Sequence, residues 1–124
     1  FSPYLESNWL TRILIDKMDG QLDDSDLDNA KSFLSNKCLI GLTEKMDESN
    51  KRFMKYFGWL STNNPVCEDE LKQDYENDTK KNDRRKKIPK KVYNHISDLN
   101  ILDIKLYEYA MELFEEQKSL LSFL

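Results

Sequence analysis

The stretch Cys38-Leu39-Ile40-Gly41-Leu42-Thr43-Glu44 decides the fold class, because five compact residues bounded by polar ones run straight into a segment patterned for helix. Such a run suits a buried strand and is too short for a typical helix. The spacing therefore predicts one short strand, over about 38–42, in a chain that is otherwise mostly α-helical. One strand makes no sheet, so it is expected to pair with strands outside this chain.

Downstream, Thr43 can cap a helix over about 45–57. Met46, Phe53, Met54 and Phe57 would share its apolar face, with Lys45, Glu48, Lys51, Arg52 and Lys55 in water and Gly58 closing it. Upstream, Asp23, Asp24, Asp26 and Asp28 mark the start of a helix over about 25–36. There Ser25 and Asp28 resemble a capping box, and Leu27, Ala30, Phe33 and Leu34 face inward. Before it, Trp9, Ile13, Leu14 and Met18 recur at helical spacing over about 8–18, with Gly20 as the expected C-cap.

Past Ser61 the apolar periodicity stops. A loop is expected over 61–91, and its part from Lys80 to Lys91 holds eight Lys or Arg against one Asp. Helical patterning returns over about 90–97 with Val92 and Ile96. It continues over about 101–120, where Asn100 caps a helix carrying Ile104, Tyr107, Ala110 or Met111, and Phe114. Tyr107, Phe114 and Trp59 read as core aromatics.

The 124 residues, 39% hydrophobic and 34% charged with 3 Gly and 3 Pro, fit a single helix-rich segment spanning 1–124 rather than a linker or a disulfide scaffold. Cys38 and Cys67 can pair only with each other or stay free. No apolar run approaches the roughly 20 residues of a membrane span. Phe1 to Trp9 lack a signal-peptide pattern, and with no initiator Met the chain reads as an interior piece of a longer precursor.

Three blocks carry a family resemblance. Asn8-Trp9-Leu10-Thr11-Arg12-Ile13-Leu14 is the first. Ile40-Gly41-Leu42-Thr43-Glu44, with Asp47-Glu48-Ser49 behind it, is the second. Asp98 to Ala110 with Leu113-Phe114 is the third and strongest. In this order they resemble the C-terminal part of heparan sulfate 6-O-sulfotransferases and, more loosely, the 2-O enzymes.

The resemblance implies an α/β fold with a central parallel sheet, of which this chain is the C-terminal portion. It also implies transfer of a sulfuryl group from 3′-phosphoadenosine 5′-phosphosulfate to a carbohydrate hydroxyl on a heparan sulfate-like glycan. Golgi location follows, with an upstream anchor and the missing N-terminal part of the same fold as partners. The family's phosphate-binding loop and catalytic base lie upstream of these blocks, so no catalytic residue is named. The alternative is a catalytically inactive sulfotransferase-derived protein serving as a structural or interaction subunit of a larger assembly.

Arg84, Arg85, Lys86 and Lys87 are the candidate contacts to the nucleotide donor, because dense cationic groups, Arg in particular, bind phosphate and sulfate. Asn8, Thr11 and Arg12 are the candidate substrate contacts, since the matching family segment passes the ligand cleft. Each of these has a plain structural reading as well: a solvated basic loop, and capping or packing groups. Asn77-Asp78-Thr79 is an acceptor pattern for N-glycosylation at Asn77.

His95 is the sole histidine and is read as solvated or capping rather than catalytic. The aspartates from Asp23 to Asp28 lack the Gly turn and terminal Glu of a calcium loop, so no metal is expected. Without aromatic interleaving in the basic run, nucleic acid is not an expected partner. Protein partners are expected at the basic loop and the apolar end Leu120 to Leu124.

Overall fold

The computed structural model describes residues 7–59 and 88–120. Among them are five α-helices and one 3-10 turn. The helices are α1 (Trp9–Ile15), α2 (Asp24–Lys37), α3 (Met46–Tyr56), α4 (Lys90–Leu99) and α5 (Ile101–Leu120), and the turn is Thr43–Lys45. The basic loop expected over 61–91, Cys67 and the apolar end from Leu121 onward fall outside the described residues, apart from 88–91.

The described residues contain no strand, so the strand expected over 38–42 is corrected to a lone extended segment. Cys38 and Leu42 do have extended backbones, at φ −120°, ψ 138° and φ −111°, ψ 132°. Side chains bind the backbone groups along one edge of the segment. Gln117 accepts from the Ile40 N–H at 2.9 Å and donates to the Cys38 carbonyl at 2.8 Å, and Ser49 Oγ accepts from the Leu42 N–H at 2.9 Å. Buried backbone groups demand partners, and one amide side chain supplies them for the Cys38 carbonyl and the Ile40 N–H without a sheet. The helical part of the expected fold class holds among the described residues.

The core joins α2, the extended segment and α5. Leu27, Ala30 and Leu34 from α2 meet Ile40 and Leu42, and Leu102, Leu106, Leu113 and Phe114 from α5. On α5 the inward stripe is thus displaced from the one expected: Phe114 is buried, but Ile104, Tyr107 and Met111 lie on the outer side. Phe33 likewise faces out.

Caps explain where the helices begin and end. The box at the start of α2 uses Asp23 and Asp26, two residues before the expected Ser25 and Asp28. Each side chain accepts the other residue's backbone N–H at 3.0 Å. Helix α1 stops at Asp16, whose φ of 55° is left-handed, and not at Gly20. The Asp16 N–H returns to the Arg12 and Ile13 carbonyls, and past this end the Arg12 guanidinium binds the Lys17 and Gly20 carbonyls at 3.2 and 3.0 Å.

Helix α3 turns a polar side inward. Ser49 is 1% exposed and Arg52 6%, where Arg52 had been expected in water, while Phe57 is exposed. The Phe53 ring end packs against Gly41. A Cβ there would lie 2.5 Å from Phe53 Cζ. Gly41→Ala is expected to lower stability by about 1–2 kcal/mol through overpacking, read as a shift in urea midpoint. In a Phe53→Ala background the same change should be nearly silent.

Candidate functional site

Of the candidate substrate residues, Asn8 and Thr11 meet Asn100 and Asp103 at one joint, and Arg12 lies beside it. Helices α1 and α5 begin beside each other, so their unpaired N–H groups converge. Asn8 Oδ1 accepts from the Leu102 and Asp103 N–H groups at 2.9 and 3.1 Å, and Asn8 Nδ2 donates to the Leu99 carbonyl at 3.1 Å. In return the Asp103 carboxylate accepts from the Leu10 and Thr11 N–H groups at 2.9 and 2.8 Å and from the Thr11 hydroxyl at 2.7 Å. Asn100 Oδ1 completes the exchange by accepting the Asn8 N–H at 2.9 Å.

Each helix is capped by a side chain from the other. Asp103 places a negative charge where two positive helix ends meet, which favours the arrangement electrostatically. Asn8 itself has a left-handed backbone, with φ 55° and ψ 48°, a conformation Asn tolerates better than most residues.

Arg12 extends the joint on the other side. Its Nε donates to the Ser7 carbonyl at 2.9 Å, beyond the two carbonyls already described. Asn8, Thr11 and Arg12 are all buried. Among the described residues no buried side-chain nitrogen or oxygen lacks a partner. The polar groups of these three residues are therefore spent within the fold, as caps and carbonyl ties. The sequence did hold the signal for this: Asn8 with Thr11, and Asn100 with Asp103, each have the cap-to-third-residue spacing. Only the exchange of partners between helices was hidden.

A second cluster ties the 3-10 turn and α3 to α5. The Arg52 guanidinium donates to the Phe114 carbonyl and to Glu48 at 2.6 Å, and lies 3.5 Å from the Phe114 ring centroid. The Tyr107 hydroxyl donates to Glu44 at 2.7 Å, and Lys45 pairs with Glu115. Glu44 holds the Tyr107 phenol above its ordinary pKa, because the neighbouring carboxylate favours the bonded proton.

Three carboxyls are pulled below their ordinary pKa by direct bonds: Asp26 by Lys17 and the Asp23 N–H, Glu48 by Arg52, and Glu115 by Lys45. Lowered folded-state values mean that the stabilisation is present above the unfolded carboxylate pKa and is lost as pH falls through the folded one. The urea midpoint is expected to decline below about pH 4, and Lys17→Met should flatten part of that decline.

The remaining candidates are placed as follows. Arg84, Arg85, Lys86, Lys87 and Asn77 lie outside the described residues. His95 is exposed on α4, and Cys38 is a free, half-buried thiol. No group of three or more His, Cys, Asp or Glu able to hold a metal occurs among the described residues, and none of their helices is long and apolar enough to cross a membrane. Trp59, read from sequence as core, is instead exposed, and stacks on Phe57 at the end of α3.

No protein-family model, curated protein or solved structure matches this chain.

Proposed function

We propose that this chain is the C-terminal portion of a sulfotransferase acting on an anionic glycan of the heparan sulfate kind. The observation that supports this reading is that the three segments carrying the resemblance are fastened to one another. Asn8 and Thr11 of the first bind Asp103 of the third, and Glu44 of the second binds Tyr107 of the third. Residues that recur together in a family for structural reasons are expected to form such a unit.

In this reading the chain supplies framework and part of the anion cleft. A sugar hydroxyl oxygen forms a bond to sulfur while the bond from sulfur to the nucleotide's phosphate oxygen breaks. The hydroxyl proton goes to a base outside this segment. Arg84, Arg85, Lys86 and Lys87 would neutralise the donor's phosphates, and Asn77 would carry a glycan in the Golgi lumen. The buried joint leaves Asn8, Thr11 and Arg12 the task of fixing the cleft wall rather than touching substrate.

The test is calorimetric titration of the chain with 3′-phosphoadenosine 5′-phosphate, beside a variant with Arg84, Arg85, Lys86 and Lys87 all changed to Ala. Saturable binding that the variant loses supports the donor role. A folded chain that binds nothing favours the second reading, an inactive structural or interaction subunit. One observation favours that alternative: Val92, Tyr93 and Ile96 of α4 are all exposed, and none of its residues is buried.

A further inference from the structure

We infer that α4 lies on an anionic membrane surface, with its apolar side in the lipid interface and its lysines among the headgroups. At about 100° per residue its side chains separate into two sides. Val92, Tyr93, Ile96 and Leu99 share one arc, and Lys90, Lys91, Asn94, His95 and Asp98 lie around the rest. Such an arc normally packs against a core. Here it does not: the four apolar residues are 47%, 60%, 50% and 38% exposed, and of the whole helix only Ser97 is even half-buried.

The joint with α1 holds α4 in place without using that arc. Asn8 binds the Leu99 carbonyl and the Asn100 side chain, so the helix is fixed at its last residue by polar contacts. Ile88, just before the helix, adds a further exposed apolar group at 42%. An apolar surface left open in this way marks a protein or membrane contact.

Charge selects between them. Lys90 stands three residues before Tyr93 and borders one edge of the arc. At the other edge stand Lys91 and His95, and His95 is three residues from Val92 and four from Leu99. Asp98, the sole carboxylate of the helix, falls opposite the arc. Neither lysine forms an ion pair among the described residues. A lysine stem can follow the apolar edge and set its ammonium at headgroup level, where a tyrosine ring also sits well.

The sequence before α4 carries the same sign, with eight Lys or Arg against one Asp from Lys80 to Lys91. A continuous layer of anionic headgroups can meet that many cations, whereas one acidic helix of a protein partner offers only a few carboxylates. An apolar arc with basic borders is the pattern of a helix lying in the plane of the interface. Ten residues are too few to cross a bilayer, so the contact is peripheral. The inference needs no catalytic activity and does not rest on the sulfotransferase reading.

Flotation of the whole chain with two kinds of vesicle tests it: phosphatidylcholine alone, and phosphatidylcholine with about one third phosphatidylserine. We expect at least about tenfold stronger binding to the anionic vesicles. Val92→Gln with Ile96→Gln should weaken that binding about tenfold, and so should Lys90→Gln with Lys91→Gln. All four side chains are exposed, so the circular dichroism spectra should not change. Full binding by the Val92, Ile96 variant would show that basic charge alone holds the vesicles, and would overturn the inference. Equal binding to neutral vesicles would overturn it as well. Absence of binding to anionic vesicles would refute it outright, and a dimer in sedimentation that the same variant abolishes would then assign the arc to a second copy of the chain.

Discussion

Asp103→Ala is expected to destabilise the chain by about 2–3 kcal/mol, which combines the loss of a helix cap with the loss of charge-assisted hydrogen bonds. One carboxylate accepts from Leu10 N–H, Thr11 N–H and the Thr11 hydroxyl, and α1 carries no acidic residue in its own first turn. A seven-residue helix has almost no stability of its own, so its cap and its packing decide whether it forms. Loss of the carboxylate should unfix α1 and with it the Arg12 carbonyl ties. Denaturant unfolding followed by circular dichroism measures this. Asp103→Asn should fall between the two, because an amide oxygen still accepts but carries no charge.

Arg52→Met is expected to cost about 3 kcal/mol, in the range for breaking a buried charged contact. Arg52 is 6% exposed, and its guanidinium bonds both the Phe114 carbonyl and Glu48 and covers the Phe114 ring. Methionine restores apolar contact with the ring but leaves the carbonyl without its donor. Arg52→Lys should rescue little, since a point charge on a flexible stem cannot bridge two acceptors and stack at once. Glu48→Gln should be milder, because the Glu48 side chain is 40% exposed and water replaces the lost charge contact. Unfolding midpoints for the three variants give the order.

The positions of the five helices were legible in the sequence, because apolar spacing and cap residues are local signals. The boundaries of α2 and α5 differ little from those expected. The strand over 38–42 was misread because a short apolar run does not reveal its backbone partners. Those partners are Gln117 and Ser49, and Gln117 lies 77 residues from Ile40. Arg52 was misread for a related reason: its charge predicts water, and only a carbonyl and a ring brought from α5 make burial favourable. Trp59 was misread because helical spacing does not say where the core stops. In the candidate site, Asn8, Thr11 and Arg12 were read as substrate contacts, with capping or packing as the plain alternative, and their polar groups are engaged within the fold. The engagement of Asn8 and Thr11 depends on the first turn of α5, more than 90 residues away in sequence, whereas Arg12 binds only nearby carbonyls.

The reciprocal joint between the first and third segments is the centre of this account, and a double-mutant cycle of Asn8→Ala and Asp103→Ala, read by urea unfolding of the whole chain, tests it most directly. Asn8 caps the helix that carries Asp103, and Asp103 caps the helix that Asn8 precedes, so loss of either loosens the joint that positions the other. The account predicts that the double variant is less destabilised than the sum of the singles, with a coupling of about 1 kcal/mol or more. Additive effects, with no coupling between the two sites, would contradict it.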